Sequence, residues 1–199
     1  MRYFPVYLDT RSHKIVVAGA GACAIAKLRL LMKTQANIHV FDTDPDALVR
    51  QWAGEGRLSL HDRAIRVSDM AGALLLYAAH DDENRDIAVA NLGRKAGVKT
   101  LVVDNLDHSD FITPAIVDRS PLTVAIGTEG AAPVLARKIK ADLEASLPEG
   151  LGRLAAIGKT FRPMAERLAP GLQRRRFWSR FYFERGPVAQ ASGNEATEA

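Results

Sequence analysis

Gly19, Gly21 and Ala24, in the run Gly19-Ala20-Gly21-Ala22-Cys23-Ala24, have the spacing of a dinucleotide-binding turn. The first glycine lets the chain turn sharply, the second lets backbone approach a pyrophosphate, and the third small residue lets a helix pack closely on a strand. Amides at the start of that helix would face the phosphates, where the helix dipole favours negative charge. Asp42 lies 23 residues after Gly19, where a carboxylate can accept both ribose hydroxyls of an adenosine and repel a 2′-phosphate. No Arg or Lys follows before Arg50, so this stretch favours NAD over NADP. The bland alternative is a close-packed βαβ unit with an empty crevice. Cys23 invites a redox reading, but a small residue fitting beside the pyrophosphate is the simpler account. A further carboxylate, Asp104, closes the apolar run Thr100–Val103. By itself an Asp at a strand end is more often a turn or cap residue.

The elements around these residues follow from pattern. Ile15–Ala18 and Ile38–Phe41 are apolar runs that flank a helical stretch, which makes a strand, turn, helix and strand. Tyr3–Leu8 reads as a short strand or extended lead-in. Asp44-Pro45 is expected to cap a helix bearing Leu48, Val49 and Trp52 and ended by Gly54 and Gly56. Leu58–His61 is a short strand candidate, and Ala73–Ala79 is a continuous apolar run suited to a strand covered on both faces. His80-Asp81-Asp82 then opens a helix to about Lys95, with Gly97 just past its end. Alternating strands and helices over residues 14–105 predict an open parallel sheet. Ligands of such sheets sit beyond the carboxyl ends of the strands, where Gly19–Ala24, Asp42, Ala79-His80 and Asp104 fall.

The pattern changes after Phe111. Ile112–Asp118 and Leu122–Ile126 are strand-like runs joined by Arg119-Ser120-Pro121, and Pro133 opens a helix with Leu135, Ile139 and Leu143 at spacing four. A hairpin and one helix have too little core to stand alone, so they must pack on the sheet or on a second subunit. Residues 149–185 read as helical with breaks near Pro163 and at Pro170-Gly171, and residues 186–199 as a disordered tail. Residues 151–185 carry nine Arg or Lys against two Glu, whereas residues 1–150 carry eighteen basic and nineteen acidic side chains. An anionic partner would therefore meet the C-terminal part. One cysteine excludes an internal disulfide and a cysteine-rich zinc site, and fits a reducing compartment. With no apolar run of membrane-spanning length and no signal-like N-terminus, the expectation is a cytoplasmic protein.

In this order the pieces resemble the precorrin-2 dehydrogenase/sirohydrochlorin ferrochelatase family, the N-terminal module of siroheme synthase that also occurs as a separate enzyme. The resemblance covers roughly Tyr3–Phe183. It rests on FPVYLD at 4–9, VAGAGACAIAK at 17–27, VVDN at 102–105, RRRFW at 174–178 and, most diagnostically, FITPAIVDRSPLTVAIGTEGAAPVLARKIKADLE at 111–144. It implies an α/β architecture: an NAD-binding Rossmann domain at 1–112, a strand-hairpin and helix dimerisation segment at 113–147, and a helical C-terminal part at 148–185. It also implies a homodimer that oxidises precorrin-2 to sirohydrochlorin with NAD⁺ and, in many members, then inserts Fe²⁺ to give siroheme.

Carried over residue by residue, the family's essential aspartate matches Asp104, and the cofactor contacts fall on Gly19, Gly21, Ala22, Cys23, Ala24, Asp42, Thr43 and Ala79. Asn105 and Thr128 match the tetrapyrrole site, Thr128 standing where serine is common. Asp86 stands where the family often has asparagine. Oxidation removes a hydride and a proton, and a positioned carboxylate can take the proton. Iron would be a substrate passing near Asp104, since no His, Cys and Asp spacing suggests a stable metal site. His80 and His108 lie near the ligand edge, although scattered histidines are usually not ligands. Two other functions fit parts of the chain: a non-catalytic NAD-sensing module, and a nucleic-acid binder using Gln173–Phe183. The block at 111–144 favours the enzyme, and the aromatics of Gln173–Phe183 read as core, so no nucleic acid and no membrane is expected among the partners.

Overall fold

The computed structural model describes residues 1–191. Its first compact unit, Met1–Ile112, is built on five strands: β1 (Lys14–Ala18), β2 (Asn37–Asp42), β3 (Ser59–Asp62), β4 (Ala73–Ala78) and β5 (Lys99–Val102). All pairings are parallel, in the order β3-β2-β1-β4-β5. The winding direction reverses between β1 and β4, which opens a crevice at their carboxyl ends.

Alternation along β1 shows why both faces of the sheet are covered. Ile15 and Val17 join Leu28, Val49 and Trp52 in one core, while Val16 and Ala18 join Met70, Leu76 and Val89 in the other. A strand buried on both sides has to be an unbroken apolar run. Helices α1 (Ala22–Leu31) and α2 (Ala47–Gly54) supply the first core; α3 (Glu83–Ala96) and a 3₁₀ turn at Val67–Met70 supply the second. Each fully buried aliphatic side chain contributes about 1.5–3 kcal/mol.

The ends of the helices are set locally. Asp82 caps α3 by accepting the Arg85 amide at 3.2 Å, and Gly97 ends it in the left-handed region at φ 70°. For α2 the cap is Asp46, not Asp44: its carboxylate accepts the Leu48 amide at 2.8 Å. The reason lies in the glycine turn, because the Asp46 amide donates to the Ala20 carbonyl at 3.1 Å. That bond holds Pro45-Asp46 extended, and the helix starts only after it. Residues 3–8 form no strand, and Phe4, Val6 and Tyr7 are exposed.

The outer edge of β5 is closed by its own continuation. Thr100 exchanges bonds with Asp110, amide to carboxylate at 2.9 Å and amide to carbonyl at 2.7 Å, and the Ser109 hydroxyl accepts the Val102 amide at 2.9 Å. An edge whose backbone groups are met in this way offers little to another strand.

The second unit begins at Thr113. Strands β6 (Ala115–Arg119) and β7 (Leu122–Ile126) form an antiparallel hairpin with a cis Ser120-Pro121 bond. They are followed by α4 (Pro133–Ser146), α5 (Leu151–Ala165), α6 (Leu172–Arg180), a π-helical turn (Phe181–Arg185) and α7 (Gly186–Ala191). Arg119 ties the hairpin to α4 by donating to the Glu144 and Leu147 carbonyls at 2.9 and 3.2 Å, two acceptors that the helix end leaves over. A Cβ at Gly152 would overlap the Arg119 and Ser120 carbonyls, so α5 seats directly on the hairpin turn.

The helical stretch breaks close to where it was expected to: α5 stops at Ala165, two residues past Pro163. Two other expectations change here. Gly186–Ala191, expected to be disordered, is helical, with Gly186 packed against Leu154; residues 192–199 lie outside the described residues. Of the aromatics in Gln173–Phe183, Phe177, Trp178 and Phe181 contact one another's rings and are half-buried, but Phe183 is 80% exposed.

Candidate functional site

The crevice between β1 and β4 is built around the glycine turn. Gly19 has φ +113°, and a Cβ there would overlap the Ala79 carbonyl, so the turn and the end of β4 touch backbone to backbone. The Gly19 amide donates to the Phe41 carbonyl at 2.9 Å, which ties the same turn to β2. Helix α1 starts at Ala22 with no side-chain cap and no acidic residue in its first turn. Its leading amides, with Ala22, Cys23 and Ala24 too small to cover them, form a cradle for an anion. These features fit a dinucleotide pyrophosphate.

Asp42 takes a part beyond the one its spacing suggests. It is 8% exposed, and its carboxylate accepts the Ala20 amide at 2.7 Å, the Thr43 amide at 2.7 Å and the Asp44 amide at 3.2 Å. A carboxylate has about four lone-pair positions, so three are committed to the backbone. Asp42 thus also holds the shape of the turn. Thr43 is exposed beside it. Arg85, on α3, approaches to 3.8 Å from the Asp42 carboxylate. The stretch before Arg50 lacks a basic residue, but α3 brings one from across the crevice.

A cleft of ≈ 290 Å³ opens beside the turn, lined among others by Cys23, His80, Asp81, Asp86, Asp104 and Asn105. Asp104 follows β5 in the left-handed region at φ 58°, a conformation Asp tolerates better than most residues, and it is exposed. The next residue is fixed: the Asn105 amide side chain donates to Glu83 at 2.8 Å, and its carbonyl side accepts the His108 amide at 3.2 Å. His108 is thereby placed in the turn after Asn105, not among the cleft's lining residues. Cys23 donates its thiol to Asp81; that hydrogen bond and partial burial push the thiol up to about 11. Such a group stays protonated at neutral pH and is no nucleophile.

The feature that sequence reading missed is the pairing of His80 with Asp86. One oxygen of Asp86 accepts both the His80 amide at 3.0 Å and His80 Nδ1 at 2.7 Å, and both side chains are buried. The signal was present in Asp86 itself, an acidic residue in the first turn of a helix whose N-terminal segment leads out of β4.

Thr128 belongs to the second unit, in the loop after β7, where its carbonyl accepts the Ala131 amide at 2.9 Å. Among the described residues no group of three or more His, Cys, Asp or Glu side chains is arranged to hold a metal ion. Among them, too, no helix is long and apolar enough to cross a membrane.

Residues 6–115 match the family described as "Putative NAD(P)-binding". The chain belongs to this NAD(P)-binding family. Residues 119–146 match the model "Sirohaem biosynthesis protein central", and residues 150–199 the model "Sirohaem synthase dimerisation region". The name dimerisation region thus falls C-terminal to residues 113–147, which the sequence reading had given that role.

The siroheme synthase of Methylococcus capsulatus is 36% identical over 191 residues, covering 96% of this chain and 40% of that protein. That of Azotobacter vinelandii is 37% identical over 202 residues, covering 100% of this chain and 43% of that protein. The chain therefore spans about two fifths of the length of these relatives. Among solved structures, SirC, a precorrin-2 dehydrogenase, superposes with a TM-score of 0.65 at 22% identity, over 86% of this chain and 85% of that one.

Proposed function

We propose that the protein oxidises precorrin-2 to sirohydrochlorin with NAD⁺, as a cytoplasmic homodimer, and that Fe²⁺ is a possible second substrate. The observation that carries this reading is the single cleft that joins the start of α1, through Cys23, to Asp104. A cofactor laid along the glycine turn would meet its substrate there.

When bound, the nicotinamide supplies the hydride acceptor. Gly19 seats the turn against the end of β4, the first-turn amides of α1 would neutralise the pyrophosphate, and Asp42 keeps the turn in shape. Asp104 takes the proton that leaves the tetrapyrrole as the hydride departs. Asn105 is assigned to the substrate's polar groups, and Ala79 to close packing under the cofactor.

The test is an anaerobic assay of wild type and Asp104→Ala with enzymatically prepared precorrin-2, following NADH and then the spectrum after addition of Fe²⁺. The expected result is NAD⁺-dependent oxidation, reduced at least about 100-fold in the variant. Iron insertion faster than the uncatalysed control adds the second activity. Wild type that binds NAD but forms no NADH would transfer the assignment to a nucleotide-sensing module.

A further inference from the structure

His80 and Asp86 form an acid–base pair that the reaction as described does not use. His80 is the second residue beyond β4, and its backbone is pressed against the glycine turn together with Ala79. His80, although buried, is among the residues that line the same cleft as Asp104. The Asp86 carboxylate, in the first turn of α3, is stabilised by the helix dipole and binds Nδ1 at 2.7 Å. A carboxylate at Nδ1 selects the tautomer with its proton there, so the lone pair sits on Nε2. The same carboxylate stabilises the imidazolium that forms when Nε2 takes a proton, an arrangement in which a base is oriented by a third group. The charged or titratable groups that line the cleft with His80 are Cys23 from α1, Asp81, Asp82, Glu83 and Asp86 from the β4–α3 side, and Asp104 from the end of β5.

We propose that His80, oriented by Asp86, is the proton relay of the oxidation. This rests on the dehydrogenase reading above. The substrate loses a hydride from carbon to the nicotinamide and a proton from nitrogen to the Asp104 carboxylate. Asp104 then passes that proton to His80 Nε2, regaining its charge, and the imidazolium is held by Asp86 until product leaves. Carboxylic acids as a class hold a proton poorly near pH 7, whereas imidazole holds one readily. His80 thus acts through Asp104, as a positioning and relay residue.

The experiment measures steady-state oxidation of precorrin-2 and NAD affinity for wild type, His80→Ala, His80→Gln and Asp86→Asn, with and without added imidazole. The expected result is a fall in kcat of about 100-fold for His80→Ala, partly restored by imidazole, with NAD affinity within twofold of wild type. His80→Gln keeps a polar side chain of similar reach but cannot carry the proton, and should be as slow, without restoration by imidazole. Asp86→Asn should lower kcat about tenfold and leave KM for NAD unchanged. The proposal is overturned if His80→Ala keeps kcat within threefold of wild type. It is equally overturned if the loss is insensitive to imidazole and accompanied by loss of NAD binding, which marks a structural role. Inactive wild type would instead remove the dehydrogenase reading, so the two failures are distinguishable.

Discussion

At the scale of single residues, Asp42 shows how a familiar spacing can carry an unexpected task. Its three backbone bonds predict that Asp42→Ala leaves the buried Ala20 amide without an acceptor. The cost should be about 1–3 kcal/mol in the protein without cofactor, in addition to weaker NAD binding. A ribose contact alone would leave the denaturation midpoint of the cofactor-free protein unmoved, so an unchanged midpoint would refute the structural role. Cys23 gives a second residue-level prediction. With its thiol raised to about 11, alkylation by iodoacetamide at pH 8 should run roughly 100-fold slower than for an ordinary cysteine. Asp81→Asn, which removes the charged acceptor, should speed it up. What was legible at this scale was residue type and spacing: Gly19 and Gly21 follow β1 and Asp104 follows β5, at the carboxyl edge of the sheet. Partners that meet only through the fold were not legible. Arg85 reaches Asp42 from another helix, and the His80 and Asp86 side chains meet across a cap.

At the scale of elements, the strands were legible because burial on both faces demands uninterrupted apolar runs. Boundaries shifted where a tertiary bond outweighed a local preference, as when the Ala20 carbonyl fixed Asp46 and displaced the start of α2. One connection has a pH dependence that can be worked out. Asp69, in the 3₁₀ turn, accepts both terminal nitrogens of Arg63 at 2.7 Å and the Arg66 amide at 2.8 Å, while Arg63 lies 5.0 Å from the centre of the Phe41 ring. The Arg63 hydrogen bonds, chiefly, lower the Asp69 carboxyl from 3.8 to about 2. Because the folded value is the lower one, the stabilisation is present above about pH 4 and is lost as pH falls towards 2. Denaturant midpoints measured between those limits should fall with pH in wild type. Asp69→Asn should show a shallower slope over that range and a lower midpoint at neutral pH; parallel slopes would show that the pair does not titrate with folding.

At the scale of the whole molecule, the second unit leaves Leu135, Met164, Leu172, Phe183 and Val188 exposed. Scattered apolar side chains need no explanation, but here they lie on consecutive helices, and residues 150–199 match a model named for dimerisation. A symmetric dimer uses the same patch on both copies, so one substitution changes the interface twice. We therefore expect the protein to sediment at twice its 21.7 kDa chain mass. Phe183→Asp, which places a charge on a side chain 80% exposed in the single chain, should shift the equilibrium towards the monomer without lowering the thermal stability of the first unit. Arg119→Ala tests a different bond in the same unit: it removes the guanidinium that ties the hairpin to the end of α4, and should destabilise the unit by about 1–2 kcal/mol. If Phe183→Asp remains dimeric while Leu135→Asp on α4 dissociates it, the contact lies within residues 113–147, to which the resemblance assigned dimerisation. A monomeric wild type would mean that these apolar residues have another partner, and oxidation by the isolated chain would then show that the site is complete without a second subunit.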